Sequence, residues 1–263
     1  MLAATSALAM SEQGRPGRLN WTYLRVETAR ALRDPWMLSF SLVMPVVLYL
    51  LFGVGPAYAH LDVGRGDGAG LVAANMALFG SMSAAVNVAG AVAAERGIGW
   101  HRQLRLTPLR GFSYVTAKFI SASVVSLGVV TGVLVTAFAT GARLDLAVTP
   151  TVFVIAWVGG SSLFAAFGLA AGFCFTGESV LSIIGMLTSV LAFLGGLLVP
   201  LSLLSDFVQE LSPFTPMYGL HDMIECSVRG VPWESVSVLN VLVWFSFFTG
   251  IAIWRYRSIA ARP

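Results

Sequence analysis

The chain has 263 residues, of which 57% are hydrophobic and 11% are charged, and its formal net charge is +3. Soluble globular domains carry about a quarter charged residues, so this composition excludes an ordinary soluble enzyme. The mean hydropathy of +0.80 and the spacing of polar residues leave room for about six apolar segments of bilayer-spanning length. We therefore expect an all-α integral membrane protein.

The first predicted element lies on the membrane surface. Residues 1–19 lack periodicity and predict a disordered cytoplasmic tail. Within 20–34, apolar residues recur at helical spacing and arginines lie among the polar positions. This pattern predicts an amphipathic interfacial helix whose arginines face lipid phosphates. The residues assigned to that surface are Trp21, Arg25, Arg30 and Arg33.

Six apolar segments follow and form a predicted transmembrane domain over 36–254, with residues 255–263 as a cytoplasmic tail. The predicted spans are 36–55, 71–94, 114–139, 150–173, 180–200 and 236–254. Glycine and proline within them are compatible with a bilayer, because neighbouring helices satisfy the freed backbone groups.

Basic residues divide unequally between the two faces of this topology. With both termini on one side, 13 of the 16 basic residues fall on that side, and the other side holds Arg65, Arg143 and Arg229. This positive-inside bias predicts that both termini are cytoplasmic. The same bias accounts for the pI of about 9.1, so we expect no nucleic-acid partner.

The predicted cytoplasmic loop 95–111 is the most basic stretch of the chain. Glu95–Arg105 is predicted to form a short helix, which ends at Thr107 because Pro108 disfavours a helical predecessor. Trp100 and Leu104 are four residues apart and would share an apolar face. The loop is either the docking site of a soluble partner or an ordinary basic loop at the lipid headgroups.

This loop resembles the intracellular coupling loop of ATP-binding-cassette exporter permeases of the type-2 membrane class. That family has a Glu-Arg start, a central Gly, a Leu and a terminal Thr-Pro before the third span, which correspond here to Glu95, Arg96, Gly99, Leu104, Thr107 and Pro108. Trp100 and His101 depart from the family pattern. The resemblance covers nearly the whole chain, including the Arg-Asp-Pro sequence at 33–35 and a long last outer loop.

The resemblance implies a permease that works with a separate nucleotide-binding ATPase subunit and with a second permease copy or paralogue. Lys118 is the single lysine and no Gly-rich phosphate loop precedes it. ATP and Mg would therefore bind the partner, and this chain would hold no catalytic residue, metal or cofactor. The residues expected to couple the chain to the ATPase are Glu95, Arg96, Gly99, Trp100, Leu104, Thr107 and Pro108.

The resemblance also implies a coupling helix between the second and third spans, and a dimer seam along the first and fifth spans. Gly185, Gly195 and Gly196 are compatible with close approach at that seam. The Ala-, Gly- and Arg-rich composition indicates a GC-rich bacterial genome, so we expect a multi-pass protein of the bacterial inner membrane.

Polar side chains in the second span are candidates for a substrate pathway, namely Asn75, Ser83 and Asn87. A lining of amides, hydroxyls and apolar groups suits an amphipathic or hydrophobic drug, antibiotic or lipid. The alternative is that these residues hold helices together by hydrogen bonds. The predicted spans contain almost no ionisable residues, which disfavours a proton-coupled transporter.

The outer segment 201–235 has an apolar helical face but is too short and polar to span. It predicts a re-entrant or interfacial helix between the fifth and sixth spans. His221 and Asp222 have no second histidine nearby, so neither a metal site nor a hydrolase site is expected. Glu178 is expected to cap the fifth helix.

The sequence thus predicts the membrane subunit of an ATP-driven exporter. One alternative is a membrane sensor or assembly factor that uses the same loop to hold a cytoplasmic partner without transport. Another is an intramembrane enzyme, which would require paired catalytic groups at membrane depth that the sequence does not show.

Overall fold

A computed structural model describes residues 21–55, 59, 61–98, 111–177 and 179–260. The predicted tail 1–19, Glu178 and the loop residues Gly99, Trp100, Leu104, Thr107 and Pro108 lie outside the described residues. In the described ranges no strand forms, and two isolated antiparallel bridges join Asp62 to Asp67 and Gly66 to Leu144.

The described helices are α1 Trp21–Leu32, α2 Pro35–Phe52, α3 Gly68–Gly97, α4 Gly111–Ala139, α5 Thr149–Cys174, α6 Ser179–Leu194, α7 Asp206–Leu211, α8 Tyr218–Arg229 and α9 Ser235–Ala260. Helix α9 continues through residues that were predicted to form part of the C-terminal tail.

Of the described helices, α2, α3, α4, α5 and α9 are long and apolar enough to cross a membrane. An all-helical fold with these five helices is consistent with the predicted polytopic membrane protein. The fifth predicted span, 180–200, corresponds to α6, which has only 16 residues and a length of about 24 Å. Gly195 and Gly196 follow α6, and Gly196 ends the helical path with a φ of +85°. Six spans therefore stay a prediction.

Aspartates define where two of these helices begin. Asp34 accepts a hydrogen bond from the Met37 backbone N at 3.0 Å, and Pro35 occupies the first turn of α2, where its missing N–H costs nothing. Asp67 caps α3 by accepting from Gly70 N at 2.7 Å and also accepts from Arg143 N at 3.1 Å. The second bond ties the start of α3 to the loop before α5.

Helix α3 is the centre of the bundle and is buried along nearly its whole length. Its contact with α5 includes small residues. A Cβ atom on Gly168 would lie 3.0 Å from the backbone N of Gly90 and from the backbone O of Val86. Glycine at position 168 therefore allows the two backbones to lie close together. By contrast, α2 and α9 expose most of their apolar side chains.

The bundle has two chemically distinct ends. At the basic end, Arg30 of α1 pairs with Glu95 near the end of α3, and Arg96 and Arg255 donate to backbone oxygens at the end of α5. At the acidic end, residues 61–67, residues 140–148 and the end of α8 come together. Backbone hydrogen bonds from Arg65 N to Val228 O and from Asp145 N to Arg65 O, both 2.8 Å, join these segments.

Helix α8 begins inside the bundle and ends at the acidic end. In its first turn, Leu220 packs against Gly159 of α5, and His221 Nδ1 lies 3.1 Å from Asn75 Oδ1 of α3. Asn75 is about 10 Å along α3 from its first residue. Gly230 then ends α8 in the left-handed conformation. The apolar helical face predicted in the outer segment 201–235 lies at residues 203–211, where the structure has the short α7, and α8 is a further helix of the same segment. Re-entry of this segment into a membrane stays a prediction.

Candidate functional site

Glu95 and Arg96, the first two residues of the predicted coupling loop, lie in the last helical turns of α3. The sequence predicted a separate helix beginning at Glu95, and this starting point is wrong. The chain deviates at Ala91 and then continues as helix over Val92–Gly97, because Val92 and Ala93 are still buried in the bundle. The loop therefore departs from a fixed helical end.

The Glu95 carboxylate is the centre of a cluster of charged and polar groups at the basic end. Lys118 Nζ donates to Glu95 Oε1 and to Glu27 Oε1, each at 2.5 Å. Arg30 Nη1 donates to Glu95 Oε1 at 2.9 Å, and the Tyr114 hydroxyl donates to Glu95 Oε2 at 2.5 Å. We call these five residues the ion cluster.

The ion cluster is buried and contains balanced charges. The side chain of Lys118 is 0% exposed, and those of Glu27 and Glu95 are 8% and 4% exposed, whereas that of Arg30 is 58% exposed. Buried charges persist only when they are paired, and here two carboxylates face two cations. Burial lowers the pKa of Arg30, but the carboxylates of Glu95 and Glu27 outweigh it and raise that pKa above its ordinary value.

Helical spacing brings these side chains to the contact between α1 and α4. On α1, Glu27 shares one face with the buried residues Leu24 and Ala31. On α4, Lys118 is four residues after Tyr114, so both point towards the same neighbour. The α1–α4 contact is extended by a 2.8 Å hydrogen bond between Thr28 Oγ1 and Ser121 Oγ. Helix α1 is therefore packed against the bundle on one face.

Arg96 points away from the ion cluster, towards the end of α5. Its Nη1 donates to the backbone oxygens of Gly172 at 2.9 Å, Phe173 at 2.6 Å and Phe175 at 3.3 Å. These carbonyls belong to the last turn, where a helix lacks internal donors and favours positive charge. Glu95 thus binds α1 and α4, whereas Arg96 binds α5.

The remaining residues of the predicted interfacial surface are exposed. Trp21 is 67% exposed, and Arg25 and Arg33 are also exposed, so they remain available to lipid. Arg30 was assigned to the same surface, but its guanidinium binds Glu95. Burial, followed by the charges of Glu27 and Glu95, raises the pKa of the neighbouring Tyr23 hydroxyl.

The predicted pathway residues differ in burial and in contacts. Asn75 is buried and bound to His221, Ser83 is buried, and Asn87 is partly buried. The contact of Asn75 favours the alternative in which it joins helices. A substrate pathway through these residues stays a prediction.

The three glycines of the predicted dimer seam have different surroundings. A Cβ atom on Gly185 would meet no described atom within 4 Å, so this part of α6 is open. Gly195 packs against Met217, and Gly196 packs against His221 of the same chain. The intrachain contacts give Gly195 and Gly196 a packing role, and the seam stays a prediction.

Sequence reasoning missed Glu27, Tyr114 and Lys118 as site residues. The expectation that the spans hold almost no ionisable group overlooked Lys118, which is buried within α4. A useful signal was available, because a lysine inside a predicted span needs a buried partner. Glu27 lies on the stripe defined by Leu24 and Ala31, where an apolar residue would be expected.

The sequence of the chain is similar to those of known proteins. Residues 64–255, which include Glu95, Arg96 and Lys118, match the model of the family described as ABC-2 family transporter protein. The chain is 27% identical over 220 residues to the Bacillus subtilis (strain 168) protein YvfS, which carries the name of a putative transport permease. That similarity covers 81% of this chain and 87% of YvfS. The chain therefore belongs to the ABC-2 family of transporters and is a membrane permease, a transport component, of such a transporter.

Proposed function

We propose that this permease is the membrane subunit of an ATP-driven exporter and that a separate nucleotide-binding subunit docks on its 95–111 loop. Membership of the ABC-2 family supports an ATPase partner, because such permeases generally work with one. The observation that carries the proposal is the anchoring of Glu95 and Arg96, which binds the start of the loop to α1, α4 and α5.

In this mechanism, closure of the ATPase displaces the loop, and the displacement reaches both sides of the bundle. Glu95 passes it to α1 and α4 through the ion cluster. Arg96 passes it to the end of α5. Because packed helices shift as discrete bodies, movement at the basic end can change which face of the membrane a cavity is open to.

The basic end faces the cytoplasm of a bacterial inner membrane in this proposal, which agrees with the positive-inside rule. Two permease subunits, identical or paralogous, enclose the cavity, and exposed apolar residues on α2 and α6 are available for their contact. The substrate is an amphipathic or hydrophobic molecule of the drug, antibiotic or lipid type. The apolar and hydroxyl-bearing interior of the bundle supports that class.

The test is purification of the tagged full-length chain from its native membrane in mild detergent, followed by mass spectrometry and an assay of MgATP hydrolysis. We expect a stoichiometric partner that carries a phosphate-binding loop, and ATP turnover by the complex. Recovery of the chain alone, or with a partner that lacks this loop, would contradict the proposal and favour the sensor or assembly-factor function.

Two leucine variants make the test specific for the docking loop. Leu104→Asp should release the partner, because it places a charge on the predicted apolar face of the loop. Leu146→Asp is the matched control, since Leu146 is 86% exposed at the acidic end. Equal loss of the partner from both variants would show that the effect is not specific to the loop.

A further inference from the structure

We propose that Lys118 is a positioning residue for the coupling of ATP hydrolysis to movement of the permease. Its ammonium binds Glu95 at the start of the 95–111 loop and Glu27 of α1, so the end of α3 that leads into the loop, α1 and α4 are joined at one point. This role rests on the proposed function, because it requires an ATPase that acts on the loop.

The two carboxylates depend on Lys118 to different extents. Glu95 also binds Arg30 and Tyr114, whereas Lys118 is the cation that pairs with Glu27 within the part of the chain that the structure describes. Loss of the ammonium removes the buried ion-pair partner of Glu27, although the charge of Arg30 still acts on that carboxylate. A buried carboxylate that loses its partner is destabilised. Helix α1 then keeps the Arg30–Glu95 ion pair, in which the Arg30 side chain is 58% exposed, but loses its buried bridge to Glu95 through Lys118.

The Lys118 side chain can bind carboxylates from two other helices at once, and it thereby connects α1, the end of α3 and α4. Of the 16 basic residues in the chain, Lys118 is the only lysine. An ammonium is a compact charge on a flexible stem with three donors, whereas a guanidinium presents a rigid planar fork. Two carboxylate oxygens from different helices can therefore share one Nζ.

A structural role alone and a coupling role predict different results for one double variant. Lys118→Met leaves Glu27 unpaired, but Lys118→Met combined with Glu27→Gln removes both buried charges. Replacement of a buried ion pair by neutral groups of similar size commonly preserves folding. The double variant should therefore recover stability, yet it cannot recover the buried bridge from α1 through Lys118 to Glu95.

The experiment compares the full-length permease with its ATPase subunit in liposomes, with MgATP hydrolysis as the measured reaction. Lys118→Met should keep the ATPase bound and leave its KM for MgATP unchanged, while the permease-dependent kcat falls about tenfold or more. Lys118→Arg keeps the charge but presents a planar fork in place of the compact ammonium, so it should lower kcat less than Lys118→Met does. The double variant should melt like the original complex but keep the low kcat.

A distance measurement on the permease alone tests the joint directly. Spin labels at the exposed positions Arg25 and Ile98, with Cys174 and Cys226 replaced by serine, report the separation of α1 from the loop. We expect one narrow distance distribution in the original chain and a broad one in Lys118→Met. A narrow distribution in both chains would overturn the proposed joint.

The kinetic outcomes separate this role from the proposed function. If the original complex hydrolyses MgATP and Lys118→Met does so equally fast, or if the double variant recovers both stability and kcat, Lys118 has no coupling role. If the original chain binds no ATPase, the proposed function fails and the coupling role fails with it, whatever the label distances are.

Discussion

At the scale of single residues, a lysine that water cannot reach keeps its charge only where carboxylates replace its hydration shell. Lys118 meets that condition through Glu27 and Glu95, which lie 91 and 23 residues away in the sequence. The sequence indicated the residue types but could not pair them, because each partner comes from a different helix. Glu95 and Arg96 were selected from the family pattern, and the structure supplies their physical roles.

Arg96 gives a stability prediction at this scale. Arg96→Ala removes the donor to the last carbonyls of α5, and hydrogen bonds from a charged donor each contribute about 1.5–3 kcal/mol. We expect a lower melting temperature in detergent, measured by the fluorescence of the tryptophans. Arg25→Ala should leave the melting temperature unchanged, because Arg25 is exposed on α1. Equal melting temperatures of Arg96→Ala and Arg25→Ala would contradict the capping role of Arg96.

His221 gives a pH prediction. Burial lowers its pKa, and the nearby carboxylates of Glu225 and Asp222 only partly oppose this effect, while Arg229 adds to it. Below the unfolded-state pKa of about 6.5, the unfolded chain binds a proton that the folded chain does not. The free energy of unfolding therefore decreases as the pH falls below this value. The decrease is at most about 1.4 kcal/mol for each unit of pH.

Melting temperatures at about pH 7.5 and pH 5.5 test this effect of His221. His221→Gln keeps a polar side chain next to Asn75 but does not titrate. The fall in melting temperature between the two pH values should be smaller in this variant than in the original chain. Equal falls would assign the pH dependence to other groups.

At the scale of elements, hydropathy predicted the five long helices of the described chain. An apolar segment of bilayer-spanning length has few structural alternatives to a helix. It did not predict the short α6, since the apolar run continues past Gly195 and Gly196, where the helix ends. Periodicity predicted α1 but could not show that Glu27 lies on its buried face. That result depends on Lys118 of another helix.

The crossing of α3 and α5 gives a packing prediction. Gly168→Val places methyl groups against the backbone of Gly90 and Val86, where even a Cβ would lie at 3.0 Å. Forced expansion of a packed contact costs about 1–3 kcal/mol, so the yield of folded protein and its melting temperature should fall. Gly128→Val in α4 is the matched control, because its Cβ would meet no described atom within 4 Å. Similar losses in both variants would contradict the close crossing.

At the scale of the whole molecule, the alternation of helices separates a basic end from an acidic end. The arginine count predicted this separation without any contact, and the structure brings Arg30, Arg96 and Arg255 to one end. The arrangement of the acidic end was less predictable. It depends on backbone hydrogen bonds among residues 61–67, residues 140–148 and α8. Such bonds do not require particular side chains, so no pattern in the sequence predicts them.

Orientation of the two ends is tested by cysteine labelling in intact cells, with Cys174 and Cys226 replaced by serine. A cysteine at Leu146 should react with a membrane-impermeant maleimide from outside. A cysteine at Ile98, which is 71% exposed at the basic end, should react only after the cells are permeabilised. Reaction of the Ile98 position in intact cells would reverse the proposed orientation.

The central claim is that an ATPase subunit sits on the loop at the basic end. The most direct measurement is photo-crosslinking in native membranes, with a photoreactive amino acid at position 104 and, as the control, at position 146. We expect an adduct from position 104 to a protein that carries a phosphate-binding loop, and none from position 146. Failure of position 104 to crosslink such a protein, or an adduct from position 146 instead, would contradict the account.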